Sequence, residues 1–106
     1  MTLKDLKDRC DENKIEYQYG TIKDGTPTPY LCGVVSDSNN FIADNRVYKK
    51  IDSIELYYTF KTKDLELEET IENVILEGVT WRKGDEDYYA DEKVWQVIYY
   101  FNLKGD

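Results

Sequence analysis

The chain contains no histidine, and that one absence removes the commonest general base and the commonest metal ligand together. Ser-His-Asp and Cys-His nucleophilic schemes therefore have no starting point. Cysteine is scarce. Cys10 and Cys32 stand 22 positions apart with no second cysteine near either, which excludes a zinc site. Both read as small buried apolar residues of a reducing compartment, with a disulfide as the lesser alternative. Proline occurs twice, and the six glycines form neither a GxGxxG nor a Walker pattern, so no phosphate cradle is present. No apolar run approaches the roughly 20 residues of a membrane span. The opening MTLKDLKDRCDENK is charged from residue 4 onward and has no apolar core, so it is not expected to act as a signal peptide. No segment concentrates enough lysine and arginine to form a stripe for gripping phosphates, which leaves no expectation of specific nucleic-acid binding.

What is present fits one domain spanning residues 1–106. Hydrophobic residues make up 41% of the chain, and they recur in ordered patterns that offset chain entropy by burial. A domain of this size keeps much of its surface exposed, so a partner subunit is expected to cover some apolar groups. Ten of the aromatic residues are tyrosine, whose ring packs while its hydroxyl tolerates a wet edge, a combination that suits interfaces. The formal charge is −8, from 22 acidic against 14 basic side chains. Such a surface repels DNA rather than holding it.

Thr2 followed by Asp5 gives a capping-box-like start, and Leu3, Leu6 and Cys10 recur at helical spacing until Asn13 ends the helix. Ile15, Tyr17 and Tyr19 then alternate with polar residues as a half-buried strand does. Residues 20–29 hold both prolines and read as a loop, and residues 30–35 as the next strand. Residues 36–50 begin with five polar turn-formers and read as mostly irregular, an excursion rather than a linker. Residues 53–61 place Ile54, Leu56, Tyr58 and Phe60 on one strand face. Asp64 is the N-cap of a second helix with Glu66, Glu68 and Glu69 in its first turns. Its buried stripe is Leu67, Ile71, Val74 and Ile75, and Gly78 is its stop. Residues 79–82 and 88–90 read as short strands around the turn Lys83-Gly84-Asp85. Residues 94–103 form a last, central strand with Trp95, Val97, Tyr99, Phe101 and Leu103 on one face. The order predicts an α+β fold, one mostly antiparallel sheet with two α-helices packed on a face.

Nothing in this pattern predicts an enzyme or a cofactor. Carboxylates are too plentiful for a catalytic pair to be singled out by spacing. The run Asp85, Glu86, Asp87, Asp91, Glu92 lacks the glycine and terminal glutamate of a calcium loop and reads as a solvated turn. Two other features bear on binding. Leu65 and Leu76 are eleven residues apart and share one angular position on the second helix, opposite its buried stripe. Either other segments cover them or they meet a subunit. Phe41, Ile42 and Val47 lie in an otherwise polar connection, where they either fold over the domain's own sheet or reach a neighbouring subunit.

A wider pattern carries a resemblance. Pro29-Tyr30, then Asn40-Phe41-Ile42-Ala43-Asp44-Asn45 with Val47-Tyr48, then Ile54-Glu55-Leu56-Tyr57, and last Tyr88 and Glu92 ahead of Trp95-Gln96-Val97 resemble the tail terminator, or tail completion, proteins of long-tailed phages and prophages of Gram-positive bacteria. The likeness spans roughly residues 28–101, and residues 41–48 are its most specific part. Departures occur at Thr28, where a second proline is expected, in the longer aromatic run Tyr57-Tyr58, and at Ala90-Asp91, where a small residue and serine are expected.

The resemblance implies an α+β virion protein, assembled in the cytoplasm of a bacterial host. It would form a homohexameric ring on the end of the tail tube, with the major tail tube protein on one side and the head-completion or connector protein on the other. A closed ring needs two different patches on each subunit. The candidates are Phe41, Ile42, Asp44, Asn45, Val47 and Tyr48 for one, and the face with Leu65 and Leu76 for the other. An acidic channel would let DNA pass without retarding it, and Glu66, Glu68, Glu69 and Glu72 of the second helix are the candidate lining. The alternatives are a head-completion or neck protein, and a small acidic inhibitor that mimics DNA and blocks a nucleic-acid-binding protein of the host.

Overall fold

A computed structural model describes residues 1–38, 41–43, 46–49 and 51–104, with side chains described for 1–36 and 51–103. Helix α1 (Leu3–Glu12) starts at the capping box, where Asp5 donates its backbone N–H to the Thr2 hydroxyl at 3.2 Å and the Thr2 N–H donates to the Asp5 carboxylate at 2.9 Å. Its Leu6 and Cys10 are fully buried. After the short strand β1 (Tyr17–Tyr19) come β2 (Tyr30–Ser38), β3 (Phe41–Ala43), β4 (Arg46–Lys49) and β5 (Ile51–Phe60). Helix α2 (Leu65–Thr70) runs on into a π-helical turn (Ile71–Ile75), and β6 (Trp81–Tyr89) and β7 (Val94–Lys104) complete the described chain.

Five strands form the main sheet in the order β1-β2-β5-β7-β6, antiparallel except for the parallel β1–β2 pair. The expected α+β fold is therefore present, with β5 at the centre. Its alternation fixes the two faces. Ile54, Leu56, Tyr58 and Phe60 are buried beneath the helices, joined by Leu31 from β2 and by Val97, Tyr99, Phe101 and Leu103 from β7. No described helix lies on the other face, where Val34, Tyr57, Ile98 and Tyr100 are half-buried. Arg82 covers part of it, its guanidinium 4.2 Å from the centre of the Tyr100 ring.

Three local expectations change. Residues 36–50 are not mostly irregular: β2 continues to Ser38, and β3 and β4 pair as a separate two-stranded sheet that does not join the main one. This hairpin leaves from the end of the sheet where β2 stops and β5 begins. The molecule is accordingly long, 50 × 28 × 24 Å, with a radius of gyration of 14.8 Å against about 13 Å for a compact chain of this length. Residues 79–90 are not two short strands around a turn but the single strand β6, with a register shift between Lys83 and Glu86. Gly84 marks that bulge rather than a turn. A Cβ there would lie 3.0 Å from the Tyr100 ring and 3.2 Å from the Ile98 carbonyl oxygen, so the close approach of β7 favours glycine.

The third change is in the second helix. Its buried stripe was expected to run through Val74, yet Val74 is 43% exposed and Leu76 is 1% exposed. The cause is the π turn, in which Leu76 donates its backbone N–H to the Ile71 carbonyl at 2.9 Å, five residues back. One extra residue per turn rotates everything after Ile71, carrying Val74 outward and Leu76 inward. Leu76→Ala should therefore cost about 2–5 kcal/mol in urea denaturation, and Val74→Ala only about 0.5 kcal/mol. A regular α-helix would reverse that order.

Candidate functional site

The candidate residues separate into three places: the β3–β4 hairpin, the sheet-facing side of α2, and the far end of β6 and β7. Phe41 and Ile42 belong to β3, and Val47 and Tyr48 to β4. Asp44 and Asn45 lie outside the described residues. The backbone thus gathers the four apolar candidates onto one hairpin, which takes no ladder hydrogen bonds from the main sheet.

The second proposed patch does not survive as drawn. Leu65 is 68% exposed at the start of α2, but Leu76 is buried in the core because of the π turn. The two do not share a face, and Leu76 cannot meet a partner.

The acidic lining divides as well. Glu66 and Glu69 are exposed, whereas Glu68 is 4% exposed and faces the sheet. There it sits between two lysines. Lys83 Nζ donates to Glu68 Oε1 at 2.8 Å, and Lys63 Nζ lies 2.9 Å from Glu68 Oε2. Lys83 also donates to Glu72 Oε2 at 2.9 Å, which accepts a second bond from the Tyr99 hydroxyl at 2.7 Å. Lys63 reaches Glu86 of β6 at 2.8 Å. Glu68 and Glu72 are therefore paired with lysines and tie the second helix to the sheet, so they are not free carboxylates for a channel wall. The sequence carried a signal for this: Glu68, Ile71 and Ile75 follow the core-facing spacing of i, i+3, i+7, and Lys83 shares the inward alternation of Trp81.

Electrostatics in this network follow from burial and pairing. Burial alone would raise the Glu68 pKa, but the hydrogen bonds and charges of Lys83 and Lys63 outweigh it and hold the carboxyl below its ordinary value. Tyr99 is pushed well above its ordinary value by burial first and then by its bond to the Glu72 carboxylate. Tyr58, beside them, is pushed up to about 12, chiefly by burial, and its hydroxyl is buried without a hydrogen-bond partner. The thiols are equally unreactive. Burial raises Cys10 to about 12 and raises Cys32 as well, so both stay protonated at neutral pH and make poor nucleophiles. Among the described residues no group of three or more Cys, Asp or Glu side chains could hold a metal ion. Nor is any described helix long and apolar enough to cross a membrane.

The third place was not anticipated as a site. At the turn joining β6 to β7, Tyr88, Tyr89 and Trp95 are 50%, 44% and 37% exposed, and the Tyr88 and Trp95 rings lie 5.0 Å apart. Acidic residues surround them, since Asp85, Asp87, Asp91 and Glu92 are all exposed. Beside the turn, on the face without helices, Tyr30, Thr59, Tyr89, Glu92, Val94 and Gln96 line a shallow depression. Trp95 had been expected in the buried row of β7. It follows the same alternation, but it stands at the strand's start, beyond Val97, where that row is no longer fully covered.

No protein-family model matches the chain, and no curated protein matches it.

The ion network has a measurable consequence. Because Glu68 titrates lower in the folded chain than in the unfolded one, its contribution is present above about pH 4.3 and is lost as the pH falls through the depressed value. Urea midpoints should therefore drop on acidification from neutral pH. Glu68→Gln should cost about 2 kcal/mol at pH 7 and flatten the acid limb of that profile; an unchanged limb would show that Glu68 is not the group that titrates.

Proposed function

We propose that the chain is a structural protein of a phage or prophage virion, a tail terminator that forms a ring on the tail tube and joins it to the head connector. The observation that carries this reading is the coincidence of the resemblance with the hairpin. Within residues 41–48, the most specific part of the likeness, 41–43 and 46–48 fall on β3 and β4, which pair apart from the main sheet. Phe41, Ile42, Val47 and Tyr48 fall on two short strands paired apart from the main sheet, and a two-stranded unit that is marginal by itself suits contact between subunits.

Charge supports the reading in a reduced form. Glu66 and Glu69 remain as exposed acids on α2, while Glu68 and Glu72 belong to the lysine network. An acidic channel wall therefore rests on fewer residues of this helix than its sequence offers. The net charge of −8 still disfavours adhesion to passing DNA.

Electron microscopy of the purified chain mixed with the tail tube protein encoded beside it tests the proposal. Tubes of uniform length bearing a distinct cap are the expected result. Phe41→Ser should leave the fold and its denaturation midpoint in place while abolishing the cap, giving tubes of uncontrolled length. Binding to the connector side with no affinity for tubes would replace the terminator with a neck protein. A chain that ignores both and binds a basic host protein would favour the acidic inhibitor and end the virion reading.

A further inference from the structure

Strand β7 is apolar on both sides. Val97, Tyr99 and Phe101 enter the core, while Val94, Ile98 and Tyr100 stand half-buried on the face that no described helix covers. Apolar character on both sides belongs to a strand covered on both faces. Val34 from β2 and Tyr57 from β5 extend the same surface. Pairing also places its charges. Across β7, Arg82 stands opposite Tyr100 and Asp87 opposite Gln96, two residues to either side of Ile98, which itself lies opposite Tyr57. The polar residues of β5 are spaced about the same centre, with Glu55 opposite Tyr100 and Thr59 opposite Gln96. Stacking on Tyr100, with the guanidinium 4.2 Å from the ring centre, holds the Arg82 side chain against the face.

We infer that this face packs against the same face of a second copy of the chain, about a two-fold axis that crosses the strands at Tyr57 and Ile98. Rotation about that axis lays Arg82 of each copy over Asp87 of the other, and Glu55 over Thr59 and Gln96. Tyr57 and Ile98 then meet their own counterparts and exclude water from the centre. One face thus supplies both members of every pair, which is what an isologous contact requires. An axis along the strands through the middle of the face would set Arg82 over Val34 instead, leaving a charge against an apolar side chain. Facing sheets keep their strands within about 30° of each other, an offset that the long Arg82 side chain takes up. The four strands that share the face make it roughly 20 Å on a side, which is small for a stable interface, so the pairing is weak and favoured by concentration. A two-fold contact differs from the head-to-tail contact of a ring, and it stands independently of the tail reading.

Sedimentation equilibrium of the full chain at low ionic strength tests the pairing. Wild-type protein should form dimers as its concentration rises towards the millimolar range. Arg82→Asp and Asp87→Arg should each weaken the dimer by about tenfold or more, with little shift in urea midpoint because both side chains are exposed. An equimolar mixture of the two variants should associate again, since each copy then meets the opposite charge on the other. No repair within one chain could produce that recovery. Isotope-filtered NOEs in a mixture of labelled and unlabelled wild-type chains need no variant to fold. They should join Ile98 to Ile98, and Arg82 to Asp87 or Gln96, between copies. Intermolecular contacts from Arg82 to Val34 or Glu55, unchanged association of both variants, or a mixture that fails to recover would each overturn the pairing. So would wild-type monomer at millimolar concentration, which would leave the face to the chain's own hairpin or to a different protein.

Discussion

The alternation of Ile54, Leu56, Tyr58 and Phe60 along β5 commits one side of the sheet to burial, and its neighbours follow from that choice. Because β5 pairs along its whole length with β7 and along most of it with β2, Leu31, Val97, Tyr99, Phe101 and Leu103 fall on the same side. The helices then have one place to go. Helix α1 contributes Leu6 and Cys10, and the second helix contributes Ile71, Ile75 and Leu76. Slipping β5 by one residue would turn this whole set to the open side, which makes the register stringent. Placing α2 over the inward side chains of β6 and β7 also puts Glu68 against Lys83 and Glu72 against Tyr99. Lone buried charges there would be costly, and the two lysines relieve that cost only because β6 and the segment before α2 deliver them from opposite sides.

The parts legible in the sequence were those governed by a simple period. The rows of β5 and β7, the capped start of α1 and the sheet with helices on one face all follow from spacings of two or of three and four. The parts that were not legible depend on local departures from those periods. The π turn adds a residue to one helical turn, so a count at 3.6 residues misplaces Val74 and Leu76 while leaving Ile71 and Ile75 correct. Gly84 looks like a turn signal beside Lys83 and Asp85, but it sits at a bulge where Tyr100 and Ile98 of β7 come close. The polar run beginning at Ser36 conceals a hairpin whose strands are only three and four residues long, too short for alternation to stand out.

The candidate site divides along the same line. Phe41, Ile42, Val47 and Tyr48 could be singled out because apolar residues in a polar connection are anomalous wherever they occur, and the backbone groups them. Glu68 and Glu72 were assigned to a channel wall because this helix is the most acidic element of the chain; the spacing of Glu68 with Ile71 and Ile75 pointed inward, and the positions of Lys63 and Lys83 show why a carboxylate is tolerated there. The exposed rings of Tyr88, Tyr89 and Trp95 were hidden for a different reason. In sequence they continue buried strands; Tyr88 and Trp95 are exposed because they lie past the reach of the helices, and Tyr89 because it lies on the face that no described helix covers.

Among the described strands β6 is the last of the sheet, and an edge nine residues long could template fibrillar stacking of one chain upon another. Two of its features oppose that. The shift between Lys83 and Glu86 interrupts the regular ladder, and the consecutive carboxylates of Asp85, Glu86 and Asp87 would confront their own images in any in-register stack. Both features disfavour amyloid-like pairing of like with like along this edge.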